Sequence, residues 1–117
     1  MKKYLAIFLG TAEAKEKWIA MPEDQRKTME KEGMIAWGKW AEDNKASIVD
    51  GSPLGKTKRV DKSGVSDIKN QMGAWTVVNS ESHEAAAELF KNHPHFMIFP
   101  GDSIEVMECI DIPKMPQ

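Results

Sequence analysis

A lone cysteine, Cys109, gives the 117-residue chain no internal disulfide, so its order must come from burial and backbone hydrogen bonding. No apolar run approaches the roughly 20 residues that cross a bilayer. The short apolar run in MKKYLAIFLG falls short of a signal core with its small-residue cleavage site. Export is therefore not expected, and a reducing cytoplasm is the default location. Charge of one sign is also scarce: 16 Lys and Arg stand against 18 Asp and Glu, interspersed, for a formal net charge of −2. That balance offers no basic footprint for phosphates, which argues against nucleic acid as a partner. There is no Gly-rich phosphate loop, paired-cysteine motif, serine elbow, internal repeat or linker. Among enzymes, only cofactor-free chemistry is left, and no cofactor is expected.

What the chain does hold is apolar surface. Apolar residues make up 41% and charged residues 29%, with four Trp and eight Met, enough to order one domain over residues 1–117. Tyr4 to Leu9 reads as a first strand, with Tyr4, Ala6 and Phe8 on one face and Leu5, Ile7 and Leu9 on the other. Both faces must then be covered. Thr11 is placed to cap a helix from Ala12 to Ala20, and Pro22 suits the first turn of a longer helix reaching about Asn44. Met29, Gly33, Ala36, Trp37, Trp40 and Ala41 recur at helical period and make Trp37 and Trp40 packing residues. The charges Glu30, Lys31, Glu32, Lys39, Glu42 and Asp43 mark the solvated face.

A second strand begins at Ile48 and Val49, is bent or bulged by Asp50-Gly51-Ser52-Pro53, and resumes from Lys56 to Val60. Asp61-Lys62-Ser63-Gly64 has the residues of a tight turn returning through Val65 to Ile68, and a further strand covers Gly73 to Asn79. Ser80 is the expected N-cap of a helix over Glu81 to Lys91, with Ala86, Leu89, Phe90 and His93 facing inward and His83 solvated. Pro94 stops that helix, and Pro100-Gly101 leads into a last strand, Ser103 to Ile110.

The order is β-α-β-β-α-β with an extra hairpin, an α+β ferredoxin-like sandwich with an antiparallel sheet and both helices on one face. Tyr4, Phe8, Trp75 and Met107 are expected on the other face, where a second sheet from another copy would cover them in a homodimer. Taken together, MKKYLAIFLG, Trp18 to Pro22, Gly51-Ser52-Pro53-Leu54, GAWTVVNSESHEAAAELF and HPHFMIFPGDSIEVMECI resemble the YCII-related proteins. That family belongs to the dimeric α+β barrel superfamily, and the resemblance implies a two-subunit barrel with a cleft beside each sheet. Many members carry Asp-Gly-Pro-Phe before the third main strand. Here that region reads SDIKNQMGAW, so no role of that motif transfers.

For chemistry, His93, His95 and Glu105 form the candidate catalytic set. An imidazole exchanges protons near neutral pH, and a carboxylate beside it orients the ring. The same residue types also serve structure, a histidine by capping a helix end or bracing a turn and Glu105 by pairing across strands. Two histidines and one acid are also the ligand types of a metal site, but the spacing is not specific and no metal is assigned. Tyr4, Trp75, Phe96 and Met107 are the candidate lining for a small organic ligand, or else the filling of a dimer interface. Cys109, on a buried strand without an adjacent base, is a weak nucleophile candidate. Two functions are carried forward: a cofactor-independent enzyme acting on an aromatic or enolisable metabolite, and a non-catalytic ligand-binding or accessory dimer.

Overall fold

The structure, a computed structural model, describes residues 1–116. Its first strand, β1 (Lys2–Gly10), shows the alternation expected of it, with Tyr4, Ala6 and Phe8 buried. Oγ1 of Thr11 accepts the Ala14 amide at 3.1 Å and starts α1 (Ala12–Ala20). Pro22, which has no N–H to leave unpaired, stands at the N-cap of α2 (Glu23–Asp43). The next strand, β2 (Ile48–Pro53), runs straight through the turn-forming cluster by taking up a bulge between Ile48 and Asp50. Gly51 permits this, because a Cβ there would lie 2.9 Å from the Trp75 carbonyl oxygen.

The segment expected to resume that strand does not rejoin its sheet. Among the described residues, strands β3 (Thr57–Asp61) and β4 (Gly64–Ile68) pair only with each other, through a turn with Gly64 at φ +118°. Every residue of this hairpin except Thr57 is exposed. The chain then enters β5 (Met72–Ser80), whose Ser80 pairs with Lys2. Ser80 is thereby spent on the sheet, and the cap is Ser82, whose Oγ accepts the Ala85 amide at 3.0 Å ahead of a shorter α3 (His83–Glu88). Pro94 begins a helix as well as ending a turn: with Pro at the first position, His93 caps α4 (Pro94–Met97). The last strand, β6 (Gly101–Glu108), starts and ends two residues earlier than expected.

The main sheet has the order β2-β5-β1-β6 with every neighbouring pair antiparallel. This is the ferredoxin-like order, open at both edges and not a closed barrel. The core lies on the helix-facing side, where Tyr4, Ala6, Phe8, Ala74 and Val78 meet Ala86 and Phe90, with Trp37 and Trp40 packed against them. Tyr4 and Phe8 therefore do not occupy the uncovered face. Their cross-strand partners Val78 and Ala74 are buried too, and strand alternation carries all four to the helices. The uncovered face presents Leu5, Ile7, Trp75, Val77 and Met107, with Glu105 opposite Ile7.

Candidate functional site

The His93-Pro94-His95 turn lies where α4 meets the end of β1. Nδ1 of His93 accepts the His95 amide at 3.0 Å, which puts the neutral ring's proton on Nε2. That nitrogen is fully buried and makes no hydrogen bond among the described residues. Around it stand aromatic rings at right angles or steeply inclined, with centroids 4.5 Å away for Trp37, 4.6 Å for Trp40 and 5.0 Å for Phe8. Burial lowers its pKa to about 4, and the neighbouring His95 adds to the shift. A histidine held neutral here caps and packs, and it is poorly placed to collect a proton at neutral pH.

His95 is the accessible member of the pair. Its Nε2 lies 2.7 Å from the Leu9 carbonyl oxygen and must donate to it, so the neutral ring keeps Nδ1 unprotonated as a base. Its ring packs edge-on against Phe8 with centroids 5.2 Å apart. Gly101 is required beside it, since a Cβ at that position would run into the His95 ring and carbonyl oxygen.

His95 lies at one end of an open cleft of about 1280 Å³ between α2 and the β2–β5 half of the sheet. Trp37, Trp40 and Met34 form its helical wall, Thr76 and Ala74 line the sheet side, and Trp18 and Phe99 also line it, their ring centroids 6.1 Å apart. Lys15, Glu30 and Lys69 are the charged residues along it. On α2, Gly33 is buried and receives the Phe99 ring, while Gly38, which lines the cleft, has open space where a side chain would be.

Of the residues singled out from sequence, His95 belongs to this cleft, while Trp75 borders it on β5 and, alternating with buried Ala74 and Thr76, turns its ring to the uncovered face. Glu105 does not join His95. Ile104 and Val106 pack on the core, so Glu105 between them projects from the opposite face, and the sheet separates the two. The two histidines and Glu105 are thus not gathered as a metal set. Tyr4 is in the core with its ring stacked on His83 at 5.4 Å. His83 is exposed, as expected, and its Nε2 also holds the Val106 carbonyl oxygen at 2.7 Å. Phe96 lines a smaller hollow with Ile104 and Val106, Met107 is on the uncovered sheet face, and Cys109 is exposed beyond β6. The residues missed from sequence are Trp18, Met34, Gly38, Thr76 and Phe99. Gly38 was the available signal, a glycine inside a long helix with no turn to serve.

No protein-family model matches the chain, and no curated protein matches it in sequence. Among solved structures it is similar to TftG from Burkholderia phenoliruptrix, a 5-chloro-2-hydroxyhydroquinone dehydrochlorinase solved with 2,5-dihydroxybenzoquinone. The TM-score is 0.53 at 17% identity, with 89% of each chain covered. The two share a fold. A more distant similarity, with a TM-score of 0.35 and 14% identity, is to 30S ribosomal protein S6 from Thermotoga maritima, over 92% of this chain and 87% of that one. Among the described residues, no helix is long and apolar enough to cross a membrane.

Proposed function

We propose that the cleft binds a small planar organic molecule, aromatic or enolisable, and that His95 moves a proton on it without a cofactor. The observation that carries this is the meeting, in one cleft, of Trp37 and Trp40 as flat apolar walls and a histidine whose Nδ1 is left basic by its Nε2 contact. Glu105 has no part in the step on this reading. The Leu9 carbonyl orients the ring in place of the carboxylate, and it stabilises a protonated imidazole less than a charged partner would. That TftG handles a hydroxylated ring on the same fold is in keeping with the ligand class.

A second reading, binding without catalysis, is favoured by that same tie between His95 and a backbone carbonyl. Both readings place the protein in the cytoplasm as a single-domain YCII-related homodimer whose uncovered sheet faces meet. Two measurements separate them. Tryptophan fluorescence is titrated with hydroxylated benzoquinones and aromatic acids, and hydrogen–deuterium exchange at carbon is followed by NMR for any compound that binds. Binding that is lost in Gly38→Leu, which fills the cleft, and exchange that is lost in His95→Ala are expected for the enzyme. Binding retained in His95→Ala with no exchange in the parent supports the binder. Equal binding by the parent and Gly38→Leu would remove the cleft as the site.

A further inference from the structure

Among the described residues, the β3–β4 hairpin pairs with no other strand and no strand lies along the outer edge of β6, and the two are oppositely charged. Residues 56–69 carry Lys56, Lys58, Arg59, Lys62 and Lys69 against Asp61 and Asp67. The two acids are already engaged inside the hairpin, Asp67 by Lys58 at 2.6 Å and Asp61 by Arg59 at 3.1 Å. Lys56, Lys62 and Lys69 form no ion pair among the described residues. Strand β6 carries Asp102, Glu105 and Glu108, all exposed, and no basic residue. It is an edge strand, so one side of its backbone has hydrogen-bonding groups that no strand takes up; of these the Val106 carbonyl oxygen is held by His83, whose ring also lies 3.9 Å from Glu108.

Within one chain the two cannot meet. The hairpin leaves the sheet at its β2–β5 side, and β6 is the opposite edge, with β1 and β5 between it and β2. Two stacked sheets can be related by a two-fold axis lying between them. If the axis runs along the strands, the β2 side of each copy faces the β6 edge of the other, at both ends of the interface. If it runs across the strands, like edges face each other. A two-stranded hairpin is also marginal in water on its own, so an arm of this kind needs a surface to hold it.

We infer that the β3–β4 arm of each copy reaches over the β6 edge of a second copy, basic arm on acidic edge, and that this contact sets the orientation of the dimer. The inference rests on the sheet-to-sheet dimer proposed above and adds its axis and its electrostatic latch.

The test is a charge swap on the full chain, read by sedimentation equilibrium. One variant carries Lys56→Glu with Lys62→Glu, the other Asp102→Lys with Glu105→Lys. All four side chains are exposed, so each variant should keep the parent circular dichroism and melting profile. In each homodimer both latches become like-charged, and the dimer is expected to weaken by at least about tenfold at low salt. Mixed one to one, the variants make both latches attractive again, and a heterodimer of parental affinity should form. Raising the salt should weaken the parent dimer. A neutral pair, Lys56→Gln with Lys62→Gln, should fall between the parent and the charge reversal. A parent dimer indifferent to both reversals, or variants that mixing does not rescue, would overturn the latch while leaving the dimer standing. A monomeric parent would overturn both.

Discussion

Burial in a ring of aromatics holds the His93 pKa at about 4, below the 6.5 of an unperturbed imidazole. The sign follows from which state binds more protons. Between those values the unfolded chain is protonated at His93 and the folded chain is not, so stability rises with pH across that window. Above about pH 6.5 the full stability is present. As pH falls towards 4 this residue withdraws roughly 3 kcal/mol, and below 4 the loss levels off. His93→Asn keeps a side-chain acceptor for the His95 amide and removes the titration. Urea unfolding of parent and variant from pH 4 to 7 should show a steeper dependence in the parent, although the variant is less stable throughout because the ring packing is gone. Equal slopes would mean that His93 is not held neutral.

Two glycines on neighbouring turns of α2 should respond to alanine with opposite signs. At Gly38 a Cβ meets nothing, and Gly38→Ala is expected to stabilise the fold by about 0.5–1 kcal/mol through helix propensity alone. At Gly33 a Cβ would lie 2.5 Å from ring carbons of Phe99, and Gly33→Ala should cost about 1–3 kcal/mol because the ring must move. Thermal melting of the two variants checks both signs. The same pair bears on the cleft: at Gly33 the Phe99 ring fills the space a side chain would take, whereas at Gly38 that space is open and belongs to the cleft. A displaced Phe99 should also loosen Trp18, whose ring lies 6.1 Å from it, so Gly33→Ala is expected to weaken ligand binding as well.

The molecule as a whole is flat and long, with extents of 61 × 42 × 18 Å. Its radius of gyration of 16.8 Å exceeds the roughly 13 Å of a compact domain of this length, and the projecting hairpin contributes to the excess. The uncovered sheet face and the arm give a single chain more unpartnered surface than it needs. Two copies bury both at once, and protection of the arm should therefore depend on protein concentration. In amide hydrogen exchange, residues 57–68 are expected to slow as concentration rises through the dimer range, while the central pairing of β1 with β5 stays equally protected throughout. Arm amides that exchange at one rate at every concentration would leave the arm without a partner.

Local signals were sufficient where a residue's neighbours in sequence decide its state. Alternation placed Tyr4, Ala6 and Phe8 together, Thr11 capped α1, Asp61 to Gly64 made a turn, and the order of elements pointed to a ferredoxin-like sheet. Alternation alone could not say which face of β1 meets the helices, since Leu5, Ile7 and Leu9 are as apolar as the residues between them. Pairing with β5 and packing of Phe90 and Ala86 decided that, and the decision moved Tyr4 inward and put Glu105 on the far side of the sheet from His95. Whether residues 56–60 continued β2 or left it was likewise a matter of long-range hydrogen bonding, as was the rest of the cleft, which joins residues from α1 to β6. Such choices depend on which distant surfaces are buried together, and that free energy is carried by no single stretch of sequence.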